Sequence, residues 1–115
     1  MKSALTVLVA LVVVALAAPA AHANESIWRD LRSQDGLVIL YRHAIAPGGG
    51  DPAGFELGDC STQRNLSGEG RQQARAIGRE LRQERVLVAQ VRSSRWCRAL
   101  DTARLMAVGS VRPTP

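Results

Sequence analysis

Apolar and polar positions divide the chain into an unbroken apolar opening and a patterned remainder. Ala4–Ala18 is apolar except at Thr6, whereas beyond residue 23 apolar side chains recur at the spacing of short elements. Ile27, Trp28 and Leu31 fall about one helical turn apart, which predicts a short amphipathic helix over Ser26–Arg32. Leu37–Tyr41 (LVILY) is five apolar residues in a row behind Asp35-Gly36, the pattern of a strand buried on both faces of a parallel sheet. Ala46–Gly58 holds five glycines and two prolines and predicts a long loop directly after that strand. Loops of this length in compact domains are usually functional or disordered. Ser67 offers an N-cap, and Ala74, Ile77, Gly78 and Leu81 at i, i+3, i+4, i+7 predict an amphipathic helix over Gly68–Gln83. Val86–Arg92 reads as a second strand and Ser93-Ser94 as a cap or turn. Trp96, Ala99, Leu100 and Ala103 then form the buried stripe of another helix, ending near Val108-Gly109.

The order helix, strand, long loop, helix, strand, helix predicts an α/β layered fold with a parallel sheet. Two strands alone make an incomplete sheet, because a strand buried on both faces needs neighbours on both edges. The chain is therefore expected either to be part of a longer fold or to assemble. Its 115 residues leave room for one domain and a modest core.

Composition changes this picture at the amino terminus. Of the apolar residues, 18 lie in the first 23 positions. Lys2 supplies a positive start, Pro19 breaks the apolar run, and Ala21-His22-Ala23 is a small-x-small cleavage site, so residues 1–23 read as a secretory signal cleaved after Ala23, an uncleaved anchor over Ala4–Ala21 being the alternative. The mature protein, residues 24–115, is then exported, periplasmic or secreted, and keeps no stable membrane anchor. All 14 basic residues after Lys2 are arginine, against 10 acidic residues. Arginine binds phosphate or carboxylate through a planar donor fork. Nucleic-acid binding is disfavoured, since Trp28, Tyr41, Phe55 and Trp96 are not interleaved with the basic residues. Gly48-Gly49-Gly50 is not a P-loop, because no Gly-Lys-Ser/Thr comes after it.

In open parallel sheets, ligands bind beyond the carboxyl ends of the strands. Arg42-His43 ends the first predicted strand, while Ser93-Ser94 and Arg98 come after the second. His43 is the single histidine beyond the signal. Its place, after a buried strand, beside Arg42 and at the head of a glycine-rich loop, marks it as the candidate functional histidine.

These residues resemble a known family. Leu40-Tyr41-Arg42-His43-Ala44 looks like the strand-ending Arg-His-Gly signature of the histidine phosphatase superfamily, with its phosphoglycerate mutase-like fold. Arg64-Asn65-Leu66-Ser67-Gly68-Glu69-Gly70-Arg71-Gln72-Gln73-Ala74 resembles the family's Leu-Ser/Thr-x-x-Gly-x-x-Gln-Ala helix start. Ser93-Ser94-Arg95-Trp96-Cys97-Arg98-Ala99-Leu100-Asp101-Thr102-Ala103 resembles its Ser-Ser-x-x-x-Arg-Ala-x-x-Thr-Ala helix. The resemblance, over residues 37–106, implies a three-layer α/β/α fold of which the N-terminal half is expected here. It implies that His43 attacks a phosphoryl group and becomes phosphohistidine, that Arg42 and Arg98 hold the phosphoryl oxygens, and that Arg64 is a third phosphate ligand. Arg95 lies off the family's arginine position and reads as surface.

The resemblance thus implies an exported hydrolase acting on a phosphorylated small molecule or phosphoprotein, without metal or other cofactor. Three departures bear on this. Ala44 stands where the family has glycine, adding a methyl close to the pocket. The family also uses a second histidine, later in the chain, and none occurs after His43. A carboxylic acid is needed to protonate the leaving oxygen, and Asp59 and Glu56 in the long loop are the candidates. The alternative is accordingly a truncated, inactive relative that only binds phosphate-like anions. Cys60 comes just after the loop and Cys97 adjoins Arg98, so both fall near the carboxyl edge of the sheet. A disulfide Cys60–Cys97 is expected, two separate thiols being the alternative, and two cysteines without other soft ligands give no zinc site.

Overall fold

The computed structural model describes residues 19–115, with side chains from residue 24 onward. The apolar run Ala4–Ala18 lies outside the described residues. Helix α1 spans Pro19–Ser33, starting ahead of the expected Ser26 and including the Ala21-His22-Ala23 motif. Arg32 pairs with Glu25 at 3.0 Å and with Glu84 at 3.1 Å, tying α1 to the far end of the next helix.

Helix α2 forms over Gly68–Gln83, the span that its periodicity predicts, and the Ser67 hydroxyl caps it by accepting the Gly70 N–H at 3.0 Å. Its buried face is Gly70, Ala74, Gly78 and Leu81. The two glycines are required by backbone approach: a Cβ at Gly70 would overlap the Ile45 carbonyl, and one at Gly78 the Met106 carbonyl. Helix α3, Cys97–Met106, therefore lies close against α2, and Arg71–Asp101 at 3.1 Å joins the two. The α3 carboxyl end stops at Ala107 in the left-handed region (φ 51°). There the Arg82 guanidinium donates to the Met106 and Ala107 carbonyls at 2.6 and 3.0 Å, satisfying acceptors that a helix end leaves free.

Strands β1 (Val91–Ser93) and β2 (Val111–Pro113) pair in parallel, Val91 opposite Val111, with α3 as the crossover. The fold is mixed α/β with a parallel two-stranded sheet and three helices among the described residues. A tail bond from the Thr114 N–H to the Ser93 carbonyl, 2.8 Å, extends the pairing.

The strand expectations need correction. Leu37–Tyr41 is not a buried strand: it is extended, pairs with no strand among the described residues, and leaves Val38 86 % and Leu40 94 % exposed. An apolar run becomes a two-face-buried strand only when hydrogen-bonded neighbours flank it, and the sheet here stops at β1 and β2. Val86–Arg92 shortens to Val91–Ser93, and Leu87 stays exposed. β2 was not expected from the sequence, and it includes Pro113, which lacks a donor. It is accommodated as the last residue of a strand paired on one edge. In α3 the deeply buried positions are Cys97, Thr102 and Ala103, while Trp96, Ala99 and Leu100 are half-buried. The core is small, built from Ala44, Leu66 and Ala74 with Ala46, Leu105 and Met106 against it.

Candidate active site

His43 sits half-buried where the extended segment meets this core. Its Nδ1 lies 2.8 Å from the Ala44 carbonyl oxygen. A carbonyl only accepts, so Nδ1 carries the proton and donates, and in the neutral ring the lone pair is then on Nε2. The next residues are held on both sides. The buried Ala44 N–H donates to the Thr102 hydroxyl at 3.0 Å, and that hydroxyl donates to the Arg98 carbonyl at 2.7 Å. Ile45 donates to Gln73 Oε1 at 3.1 Å, and its carbonyl accepts the Ser67 N–H at 3.0 Å. Thr102 is thus the link that joins the backbone next to His43 to the helical turn carrying Arg98.

Arg98 is largely enclosed. Its Nη1 donates to both oxygens of Asp51, at 2.9 and 3.1 Å, and the side chains of the pair are only 12 % and 9 % exposed. The Trp96 ring lies against the guanidinium, 4.6 Å from centroid to Cζ, and Phe55 stacks on Trp96 at 4.6 Å with a 37° tilt. Partial desolvation pushes the Asp51 carboxyl up. The Arg64 backbone N–H and the Arg98 charge outweigh it and hold the group below its ordinary value.

Arg64 folds over the start of the glycine-rich loop. Its Nη1 donates to the Ala46 carbonyl at 2.6 Å and the Gly48 carbonyl at 3.2 Å, while its backbone N–H donates to Asp51 Oδ1 at 2.9 Å. Gly48 takes φ +104°, a conformation that favours glycine, with Arg64 Cδ 3.3 Å from where a Cβ would stand. The Nε atoms of both Arg64 and Arg98 are buried without a hydrogen-bond partner. Leaving such a donor unmet costs about 1–3 kcal/mol, more when charged, and an anion reaching both arginines would remove that penalty.

Arg42, the remaining phosphate candidate, is exposed next to His43 and makes no hydrogen bond or ion pair among the described residues. Arg95 is exposed, as expected. The loop carboxylates do not approach His43 through any hydrogen bond. Asp59 caps the short 3-10 turn Cys60–Thr62 by accepting from the Ser61 hydroxyl and N–H, bonds that hold its carboxyl below the ordinary value. Glu56 bonds through its backbone, to Thr62 and Gln63. No group of three or more potential metal ligands occurs among the described residues.

The loop is fastened to the start of α3 by three ties. Cys60 and Cys97 form the expected disulfide, with Cα atoms 5.7 Å apart. Gln63, 6 % exposed, gives Oε1 to the Cys97 N–H at 2.9 Å and donates through Nε2 to the Glu56 and Leu57 carbonyls. Asp51–Arg98 is the third. Asp51 and Gln63 are not recognisable from the sequence as parts of the site, whereas Trp96 and Thr102 lie within the motif block around Arg98 but carried no assigned role. The available signals were slight: Asp51 is a lone acid between Gly50 and Pro52, and Thr102 lies one turn after Arg98. Gln63 carries no local signal, because its partners are distant in sequence.

The family model of the histidine phosphatase superfamily (branch 1) matches residues 38–114. No curated protein and no solved structure gives a match.

Proposed function

The chain belongs to the histidine phosphatase superfamily (branch 1), and from that membership we propose that it is an exported hydrolase of phosphomonoesters working through a phosphohistidine. The observation that carries the reading is the His43 Nδ1–H bond to Ala44, which leaves Nε2 as the basic, nucleophilic nitrogen. Nε2 attacks phosphorus, the bond to the leaving oxygen breaks, and that oxygen takes a proton. Water then attacks the phosphohistidine, the phosphorus–nitrogen bond breaks, and phosphate departs. Arg98 and Arg64 hold the phosphoryl oxygens and stabilise charge that moves onto them. Their unmet Nε donors support this role. Arg42 joins by a side-chain movement when the anion arrives. Export is supported by the Lys2, Ala4–Ala18 and Ala21-His22-Ala23 pattern and by a disulfide that persists in oxidising compartments.

Asp59 is engaged at Ser61 and is not free to protonate the leaving oxygen, so esters with stable leaving anions, which need that proton least, are the favoured substrates. The same observation favours a second reading, a chain that binds phosphate-like anions without turnover. Steady-state hydrolysis of an aryl phosphate separates them. Turnover that falls at least about 10³-fold in His43→Ala supports the hydrolase. Thermal protection by orthophosphate with no hydrolysis supports binding alone.

A further inference from the structure

We infer that Asp51 is a positioning residue of the phosphoryl site: its carboxylate grips Arg98 at one terminal nitrogen and so fixes the free Nε–H of that guanidinium for a phosphoryl oxygen. The inference rests on the proposed function above, and its physical basis is how the ion pair is made. A guanidinium offers five N–H donors in one rigid plane. Both Asp51 oxygens are directed to Nη1, and Nε remains buried and unpartnered. The Trp96 ring against the guanidinium face restrains its tilt, and the bond to Asp51 restrains its rotation within the plane. The arginine is thus aimed before any ligand arrives, which lowers the ordering cost of binding and of reaching the transition state.

The same carboxylate also registers the second arginine. Asp51 Oδ1 accepts the Arg64 backbone N–H at 2.9 Å, which fixes where that side chain starts. Arg64 then bridges the Ala46 and Gly48 carbonyls with its own Nε unpartnered. One acid in the glycine-rich loop therefore holds two arginines that are 34 residues apart in sequence, each with a spare donor. Nothing in Asp51's position suits it to proton donation, because it is ion-paired and kept ionised.

The test uses the full chain and inorganic orthophosphate as probe, measured by calorimetry, with aryl phosphate kinetics alongside. Asp51→Asn keeps an oxygen for the Arg64 N–H and removes the charge that holds Arg98. It is expected to weaken orthophosphate binding about tenfold or more and to lower kcat more than it raises KM, with the near-ultraviolet signal of Trp96 retained. Asp51→Glu, which restores the charge one methylene away, is expected to recover part of the loss. Unchanged or tighter binding in a folded Asp51→Asn chain overturns the inference and leaves the phosphatase reading in place. If Asp51→Asn does not fold, Asp51→Ser is measured in its place: unchanged or tighter orthophosphate binding by that folded variant overturns the inference, and weakened binding supports it. Failure of the unaltered chain to bind orthophosphate, or equal binding by Arg98→Ala, overturns the phosphatase reading and this inference with it.

Discussion

Two segments flank His43, and they are held in opposite ways. Downstream, the glycine-rich loop and the residues to Leu66 are fastened to α3 by a disulfide, a buried glutamine and a nearly enclosed ion pair. Upstream, Leu37–Tyr41 is more apolar than anything in the loop, yet it lies extended with Val38 and Leu40 in solvent. Each downstream tie needs only two residues. Burial of the upstream run needs strand neighbours on both edges and layers on both faces, and among the described residues no strand pairs with it. His43 is thus held from the polar, covalently closed side. Hydrophobicity alone does not say which side of a site is the rigid one.

Removing the disulfide should erase most of this contrast. Reduction, or Cys60→Ala with Cys97→Ala, opens a loop closed across a separation of 37 residues, a loss of about 3–4 kcal/mol by the chain-entropy relation. Denaturant melts with and without reductant measure it, and identical midpoints would show that the downstream side is not anchored there. Next is the contact of α2 with α3. Gly78→Ala places a methyl on the Met106 carbonyl and is expected to destabilise by about 1–3 kcal/mol. Gly68→Ala, with open space around it, serves as the control and stays within about 0.5 kcal/mol.

Acid acts on the downstream side. The folded Asp51 and Asp59 carboxyls lie below their ordinary values. Their stabilising contribution is therefore complete above about pH 4, the unfolded value, and is lost as pH falls through the lower folded values. Fluorescence of Trp96 in a Trp28→Phe background should report release of the loop in that window, and a flat profile would contradict the ion pair. The smallest effect belongs upstream: Leu40→Ser should leave stability within about 0.5 kcal/mol. A loss near the 2–5 kcal/mol of a core truncation would mean that Leu40 is buried after all.

Part of this was legible in the sequence, for reasons that divide along the same line. The α2 span, its Ser67 cap and the mixed α/β class rest on local periodicity and short-range chemistry, and the Cys60–Cys97 bond on there being two cysteines, both expected near the carboxyl edge of the sheet. His43, Arg64 and Arg98 emerged because their motifs are contiguous. Leu37–Tyr41 misled because a continuous apolar run describes what a strand needs, not whether the neighbours are there. β2 was not expected, and it ends at Pro113, whose missing donor matters less on a singly paired strand. Asp51, Gln63 and Thr102 act across 34 to 58 residues of sequence, and no pattern within a segment announces such a pairing.

The phosphatase reading stands or falls on whether His43 Nε2 accepts a phosphoryl group. Rapid quenching of the full chain during reaction with an aryl phosphate, then peptide mapping under alkaline conditions, tests it directly. One phosphoryl group is expected on the peptide containing His43, absent from His43→Ala. Hydrolysis with no phosphoryl group on that peptide, or a phosphorylated chain that survives His43→Ala, would contradict it.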